Sequence, residues 1–245
     1  MNRVVFEKVA IVTGAGKRLG RQIVLALGSH GFKVLLVYHT SGDGARSAAK
    51  LIRQRGGSAE TVRVDISLRR EVQDMLRKAV RTFGRVDLLV NNSAIFTSVP
   101  FDKISDALWD KTLDTNLKGT FLCSQIVASQ MKKQGGGQII NIASLGGIQS
   151  WREHTPYSVS KAGVIMLTRC MAKALAPDIL VNAIAPGTII IRGEEDASQR
   201  HVPVSTIPLK GYGQPSDITD LVLFLANTNR YITGQVFSVD GGRSA

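Results

Sequence analysis

Tyr157 and Lys161 are four residues apart in a predicted helix, so their side chains lie on one face of it. A phenol ordinarily has a pKa of about 10, and a neighbouring ammonium lowers that pKa by favouring the phenolate. Ser144 follows a predicted strand, where its hydroxyl can donate a hydrogen bond to an oxygen that gains negative charge. These residue types suit proton transfer to a reacting oxygen, although each residue alone also fits an ordinary cap, turn or helix face.

A second candidate site is the glycine-rich segment TGAGKRLG at residues 13–20. It lies between an apolar, β-branched run and a stretch with helical periodicity. Glycines allow the backbone to approach a pyrophosphate, and the N-terminus of the following helix favours its negative charge. Its position after the first strand of a β-α-β unit indicates a dinucleotide phosphate site rather than an ordinary tight turn.

Alternating strand and helix patterns position these residues. Short apolar runs predict strands at Lys8–Thr13, Lys33–Tyr38, Ala59–Val64, Arg85–Val90, Gln138–Ile142, Ile179–Ile184 and Val236–Val239. Helical spacing of apolar residues predicts helices at Leu19–Ser29, Asp43–Arg55, Leu68–Phe83, Ser105–Asn116, Leu117–Lys133, Pro156–Ala176 and Ser216–Asn227.

The predicted strands are apolar on both faces, as in a parallel sheet covered by helices. No linker or repeat divides residues 1–245, so we expect one α/β domain with a Rossmann fold, a doubly wound parallel sheet of seven strands with helices on both faces. Residues 188–213 lack clean periodicity and carry a charged patch from Arg192 to Asp196. Because ligands bind beyond the carboxyl ends of such strands, this segment is a candidate substrate lid; a surface loop without a role is the alternative.

Composition and charge narrow the class of protein. The chain is 44% apolar and 20% charged, which excludes a disordered chain, and no run reaches the ~20 apolar residues of a membrane span. The net charge is +12, and residues 1–85 hold 17 lysines and arginines against 6 acids. A basic first third fits either nucleic acid or a small polyanion. Because it lacks interleaved aromatic residues and any nucleic-acid motif, we expect the small polyanion and no nucleic-acid partner.

The two cysteines, Cys123 and Cys170, show no metal-binding or redox spacing, so we expect buried apolar side chains and no metal site. The first residues lack the apolar block and cleavage site of a signal peptide. We therefore expect a cytoplasmic protein with no membrane partner.

The glycine-rich segment resembles the T-G-x-x-x-G-x-G pattern of the short-chain dehydrogenase/reductase family, with Arg18 at the family's middle glycine. The resemblance runs from Val9 to the closing VDGG at residues 239–242. Four further residues match, in order, the family's Asn-Ser-Tyr-Lys tetrad: Asn116, Ser144, Tyr157 and Lys161.

This resemblance implies hydride transfer from a reduced nicotinamide to a carbonyl carbon, with Tyr157 as proton donor to the carbonyl oxygen. Lys161 would also bond the nicotinamide ribose, and Ser144 would donate to the carbonyl oxygen. Asn116 would hold a water that links Lys161 to solvent. We therefore expect these four residues to be catalytic.

The end of the second strand bears on the cofactor. NAD-binding proteins place an acid there for the ribose 2′-hydroxyl, whereas residues 37–41 read VYHTS. Hydroxyl and basic groups attract a 2′-phosphate, and Lys17 can reach the same group, so we predict NADP(H). For His39 alone, a surface histidine is nearly as good an explanation.

The resemblance also implies that Asp65 accepts from the adenine amino group and that the segment from Pro186 holds the nicotinamide carboxamide. Ala94 replaces a family glycine in the segment NNSA at residues 91–94, which points to a slightly different backbone path there. The predicted cofactor-binding residues are Gly14, Lys17, Arg18, Leu19, His39, Thr40, Ser41, Asp65, Ile66, Asn92, Ser93, Tyr157, Lys161, Pro186, Gly187 and Ile189.

Three features resemble the pteridine reductase branch of the family: Arg18, the end of the second strand, and Phe96 where that branch stacks a pterin ring. Phe96 fits a plain apolar wall equally well. Ser144 departs from that branch, whose trypanosomatid members carry an Asp there. The predicted substrate-binding residues are Arg18, Phe96, Ser144 and Tyr157.

We therefore predict an NADPH-dependent reductase of a small carbonyl substrate, either a ketone or a 3-oxoacyl thioester. A pteridine or dihydrofolate reductase is the close alternative, and a catalytically silent nucleotide-binding protein is a third. The helical stretches at 107–131 and 156–176 hold more apolar residues than one sheet face needs. Together with the resemblance, this predicts a homo-oligomer, specifically a tetramer.

Overall fold

The computed structural model describes residues 7–191, 193–194 and 202–245. Its strands are β1 Val9–Thr13, β2 Lys33–Tyr38, β3 Ala59–Arg63, β4 Leu88–Asn91, β5 Gly137–Ile142, β6 Ile179–Pro186 and β7 Val236–Val239. Its α-helices are α1 Arg18–Ser29, α2 Gly42–Gln54, α3 Arg69–Phe83, α4 Asp106–Leu113, α5 Gly119–Lys133, α6 Thr155–Leu175 and α7 Pro215–Asn227.

The seven strands form one parallel sheet in the order β3-β2-β1-β4-β5-β6-β7. The strand order reverses between β1 and β4, so the chain winds outward in both directions from this point. The predicted Rossmann fold is therefore confirmed. A crevice at such a reversal, beyond the carboxyl ends of the strands, is where ligands bind in open α/β sheets.

Alternate residues of the inner strands point to opposite faces of the sheet, and each face has its own apolar core. On one face, Ala10 and Val12 of β1 pack with apolar residues of α1, α2 and α7. On the other face, Ile11 packs with residues of α3, α5 and α6. This arrangement explains why β1 is fully buried and why its sequence is apolar at every position but the last.

The two helices predicted at 105–133 are continuous. A π-helical turn, Asp114–Lys118, joins α4 to α5 without a break in the helical backbone. β4 begins at Leu88, three residues later than predicted; the preceding Asp87 still bonds Val9 through its backbone N–H, and its carboxylate accepts a hydrogen bond from the Val9 N–H. Cys123 is buried as predicted. The prediction of a buried Cys170 is wrong: its side chain is exposed, since Met171 and Ala172 occupy the core side of this turn of α6.

The two ends of the segment between β6 and α7 are paired with each other. Ile189 forms a parallel bridge with Gly213, so the two ends of the excursion are held together. Of the predicted charged patch, Arg192, Glu195 and Asp196 lie outside the described residues. None of the helices in the part of the chain that the structure describes has the length and apolar character of a membrane span.

Candidate active site

A cleft of about 1090 Å³ opens at the carboxyl ends of the strands, where β1 and β4 adjoin. The fold thus brings together side chains from segments more than 170 residues apart in sequence. The lining includes all the residues predicted to bind the cofactor and the substrate, from Gly14 in the glycine-rich turn to Ile189 after β6. Of the predicted site residues, only Asn116 lies outside the lining.

The glycine-rich turn is fixed against the end of β4. The Asn92 side-chain amide donates to the carbonyl oxygens of Thr13 and Gly14 at 3.0 and 3.2 Å, and the Thr13 hydroxyl accepts from the Asn92 N–H at 2.9 Å. A Cβ at Gly20 would lie 2.2 Å from the Gly14 carbonyl oxygen, so no side chain fits there. The turn is therefore a bare backbone cradle in front of the α1 N-terminus, as a pyrophosphate site requires.

Arg18, which replaces the family's middle glycine, has a φ of +50°, a left-handed conformation that favours glycine. Its backbone N–H, at the first position of α1, donates to the Glu194 carboxylate at 2.5 Å. Its guanidinium lies near enough to Tyr157 to favour the phenolate form of that residue. Arg18 thus lines the cleft and places a positive charge within electrostatic reach of the predicted catalytic tyrosine.

The start of α2 packs directly against the glycine-rich turn, a contact that sequence reasoning missed. A Cβ at Gly16 would lie 2.2 Å from the Ser41 carbonyl oxygen, and one at Gly44 would lie 1.9 Å from the Gly16 carbonyl oxygen. This close approach holds Ser41 and the N-terminus of α2 beside Lys17. The signal in the sequence was the Gly-Asp-Gly at residues 42–44.

His39 and Asp65 face each other at the far end of the cleft, with 3.9 Å between His39 Nε2 and Asp65 Oδ2. Burial alone would raise the pKa of the Asp65 carboxyl, but two hydrogen bonds from Ser67 and the charges of His39 and Lys111 bring the pKa below its ordinary value. The carboxylate is therefore ionised at neutral pH and suited to accept hydrogen bonds.

Lys161 is buried, and its ammonium donates to the Ile142 carbonyl oxygen at 2.6 Å. Burial lowers the pKa of this ammonium to about 8. Its Nζ atom lies 5.8 Å from the centre of the Tyr157 ring. The i, i+4 spacing in α6 therefore places the two side chains together, as predicted.

Burial raises the pKa of the Tyr157 phenol, while a hydrogen bond with the Ser144 side chain and the charge of Arg18 oppose this rise. The sequence predicted that Lys161 lowers the pKa of Tyr157, but the structure gives a raised pKa because burial of the phenol dominates. The groups that oppose this rise are Ser144 and Arg18. Ser144 also accepts a hydrogen bond from the Gly146 N–H at 3.0 Å, which fixes its position after β5. A neutral phenol results, and its neighbours stabilise the phenolate that proton donation would leave.

Asn116 lies in the π-helical turn behind the cleft, and π-helical turns are frequent at functional sites. Its side chain bonds both backbone groups of Ile95, at 2.7 and 3.0 Å, and donates to the Ser160 hydroxyl at 3.0 Å. Ser160 in turn donates to the Tyr157 carbonyl oxygen at 2.6 Å. Asn116 thus reaches the tyrosine through Ser160, a residue that the sequence analysis did not single out although it directly precedes Lys161.

Three rings lie together at the end of the cleft that holds Tyr157: Phe96, Trp151 and His154, hereafter the aromatic group; the first two contact Tyr157 and the third contacts both of them. Phe96 stacks on His154 with 4.4 Å between ring centres and meets Tyr157 edge-on at 4.8 Å. Trp151 stacks parallel to Tyr157 at 6.1 Å. Of this group, sequence reasoning found only Phe96, because Trp151 and His154 lie in an irregular segment without periodicity.

Comparisons with known proteins agree with this geometry. The family model described as short chain dehydrogenase matches residues 8–200. The chain is 38% identical over 240 residues to the 3-oxoacyl-(acyl-carrier-protein) reductase FabG of Staphylococcus epidermidis, covering 96% of this chain and 98% of the relative.

Solved structures give the same result. A crystal structure of acetoin dehydrogenase from Enterobacter cloacae superposes with a TM-score of 0.89 at 34% identity, over 98% of this chain and 96% of the other. A 7α-hydroxysteroid dehydrogenase in complex with NADH and a 7-oxo bile acid gives a TM-score of 0.89 at 33% identity, over 96% and 93% of the two chains. By sequence, fold and site geometry, this chain belongs to the short-chain dehydrogenase/reductase family.

Proposed function

We propose that the protein is an NADPH-dependent reductase of a carbonyl compound, of the ketone or 3-oxoacyl thioester type. The observation that carries this proposal is the hydrogen bond between Tyr157 and Ser144 in the cleft, with the Lys161 ammonium buried beside them. A phenol and a second hydroxyl side by side in a cleft suit a carbonyl oxygen that gains negative charge and then a proton.

The glycine-rich turn, the end of β2 and the segment from Pro186 would hold the cofactor, and the bare backbone at Gly14 and Gly20 fits its pyrophosphate. When bound, a reduced nicotinamide supplies hydride. Ser144 orients the carbonyl and donates to its oxygen, and Tyr157 gives that oxygen a proton. Lys161 holds a positive charge beside the resulting phenolate. Asn116 and Ser160 keep α6 in register with the loop after β4.

The preference for NADPH rests on the charges at the end of β2. Lys17, His39, Thr40 and Ser41 line this part of the cleft and present basic and hydroxyl groups. The next acid along the chain, Asp43, is fully exposed and ion-paired with Arg46 at 2.6 Å, and the Asp65 carboxylate lies 3.9 Å from His39 Nε2. A 2′-phosphate would therefore meet basic and hydroxyl groups at a helix N-terminus.

Similarity to 3-oxoacyl reductases favours carbonyl reduction over the pteridine alternative. The cleft with its polar tyrosine and lysine pair also argues against a silent nucleotide-binding protein. The tetrameric state and the cytoplasmic location stay predictions from the sequence.

An assay of NADPH oxidation tests the proposed reaction. The purified protein is mixed with NADPH and a panel of ketones, 3-oxoacyl thioesters and dihydropterins. Turnover of the first two classes supports the proposal. Turnover of dihydropterins alone would identify the protein as a pteridine reductase. NADPH binding without any turnover would favour a catalytically silent nucleotide-binding protein.

A titration followed by cofactor fluorescence tests the cofactor. We expect NADPH to bind at least about tenfold more tightly than NADH, a difference of about 1.4 kcal/mol. Lys17→Gln should weaken NADPH and leave NADH nearly unchanged, because NADH lacks the 2′-phosphate. Equal or tighter binding of NADH by the unmodified protein would refute the preference.

A further inference from the structure

We propose that Arg243 binds an acidic group of the carbonyl substrate and so selects anionic substrates over neutral ones. This inference rests on the proposed carbonyl reduction. Arg243 lies in the cleft lining, follows the last strand, and is not part of the family tetrad or of the predicted cofactor set.

The backbone of Arg243 is fixed between two parts of the site. The Asp240 carboxylate accepts from the N–H groups of Gly242 and Ser244, at 3.0 and 2.9 Å, and closes a turn around Arg243. The Arg243 carbonyl oxygen accepts from the Gln149 side chain at 3.0 Å. Gln149 itself bonds the Leu145 carbonyl oxygen, directly after Ser144. These links hold Arg243 next to the segment that follows β5 and contains Ser144.

The same turn adjoins the nicotinamide end of the predicted cofactor site rather than the pyrophosphate end. A Cβ at Gly187 would lie 2.8 Å from the Cα of Asp240, so the closing turn packs directly on that segment. Arg243 therefore belongs to the end of the cleft where Tyr157 and the aromatic group lie.

The guanidinium of Arg243 is half-buried, and among residues 7–191, 193–194 and 202–245 it has no hydrogen bond or ion pair. The described carboxylates in the lining are those of Asp65 and Asp114, and both are engaged, by Ser67 and by Lys118 respectively. A cation that is partly desolvated and lacks a described counter-ion attracts an anionic ligand strongly, because the local dielectric is low.

The chemistry of the neighbouring side chains defines the ligand further. Arg18 adds a second positive charge near Tyr157, so the electrostatic potential at this end favours negative groups. Phe96 and Trp151 provide apolar ring surfaces beside the tyrosine. The site thus fits a compact carbonyl compound with an apolar or planar body and an acidic group, which a planar guanidinium can bind with two hydrogen bonds.

Steady-state kinetics on matched substrates test this inference. The probes are oxo acids whose carboxylate lies one to three carbons from the carbonyl, including an aryl oxo acid, each paired with its methyl ester. A second arm compares a 3-oxoacyl coenzyme A thioester with the same acyl group on N-acetylcysteamine, which lacks phosphates. We expect kcat/KM to be at least about tenfold higher for the anionic member of a pair. If this ratio occurs with the oxo acids and their esters, the acidic group is a carboxylate; if it occurs with the two thioesters, the acidic group is a phosphate.

The Arg243→Gln variant should lose at least about tenfold in kcat/KM for the anionic substrate, through KM, and less than twofold for its neutral partner. Arg243→Lys should recover part of the loss. Arg152→Gln is the matched control, because Arg152 is an exposed arginine beside Trp151 that does not line the cleft. The Kd of NADPH, measured for each variant, should stay within twofold of the unmodified protein and shows that the fold is intact.

Equal losses on charged and neutral substrates, equal effects of Arg152→Gln and Arg243→Gln, or a higher Kd for NADPH in Arg243→Gln would each overturn the inference. If the unmodified protein reduces the neutral substrates as well as the anionic ones, this inference fails and the proposed function stands. If it reduces none of them, the proposed function fails.

Discussion

The ammonium of Lys161 is bound to the carbonyl oxygen of Ile142, the last residue of β5, at 2.6 Å. The strand end thus holds the cation in the buried floor of the cleft, 5.8 Å from the centre of the Tyr157 ring. Because burial lowers the pKa of Lys161 to about 8, the charge of this group changes within an accessible pH range.

This pKa predicts a pH dependence of activity. In the proposed reaction the ammonium form, present below about pH 8, is the form that would face the phenolate left by proton donation, so we expect kcat/KM for NADPH to be constant near pH 7 and to fall as pH rises through about 8. Initial rates from pH 6 to 10 measure this. A profile that is flat to pH 10 would contradict the assignment.

The same group predicts a pH-dependent stability. Between about pH 8 and 10.5 the unfolded chain carries a proton on Lys161 that the folded chain has released, so this residue's contribution to the free energy of unfolding rises with pH. Lys161→Met removes the buried charge. Its stability advantage over the unmodified protein should therefore be greatest near pH 7 and shrink toward pH 10 in urea denaturation. An advantage that is constant with pH would contradict the lowered pKa.

Replacing the predicted proton donor should separate chemistry from binding. Tyr157→Phe removes the hydroxyl and keeps the ring packed against Phe96 and Trp151. We expect turnover to fall by at least about 100-fold, in the range of general acid catalysis, while the Kd of NADPH changes less than threefold. Single-turnover kinetics with a cofactor titration measure both. Retention of a tenth or more of the activity would exclude Tyr157 as the donor.

The left-handed backbone at Arg18 predicts different effects on stability and activity. Arg18→Gly relieves the unfavourable φ of +50°, whose cost is of the order of 1 kcal/mol, although glycine also gains entropy in the unfolded chain. We expect the melting temperature to stay within a few degrees. Arg18→Ala and Arg18→Gly should both raise the substrate KM more than the Kd of NADPH, because the guanidinium lies near Tyr157. Unmodified kinetics in both variants would exclude contact with substrate.

Glu194 occupies the N-terminus of α1, where its carboxylate accepts from the Arg18 N–H. The predicted pyrophosphate competes for this position, so Glu194→Gln should lower the Kd of NADPH by about threefold, within the ~0.3–1 kcal/mol of an anion at a helix N-terminus. Glu153→Gln, at an exposed glutamate bonded to Ser98, is the control and should have no effect. An unchanged or higher Kd in Glu194→Gln would show that the two anions do not compete.

The predicted oligomer has a candidate surface. α5 and α6 cover the same face of the sheet and expose Phe121, Val159 and Met166, at 38%, 44% and 55%. We expect sedimentation at micromolar concentration to show a tetramer and the double variant Phe121→Glu/Met166→Glu to give smaller species. Tyr231→Glu, at a fully exposed residue outside these helices, should not change the assembly. A monomeric unmodified protein would contradict the prediction.

The sequence by itself determined the fold class, the glycine-rich turn and the pairing of Tyr157 with Lys161. These features depend on short-range order: the period of apolar residues sets each strand and helix, and the i, i+4 spacing sets a shared helix face. The exact ends of elements were less well determined, as β4 and the continuous α4–α5 helix show, because side-chain contacts from distant segments decide where a strand or helix stops.

Only the tertiary structure decided the contacts between distant segments. The link from Asn116 to Ser160, the aromatic group around Tyr157 and the position of Arg243 all join segments whose separation in space follows from the order of strands in the sheet. Burial likewise decided the pKa values, since the same tyrosine and lysine in water would have their ordinary ones. The sequence supplies the chemical groups, but their desolvation and long-range partners exist only once the chain has folded.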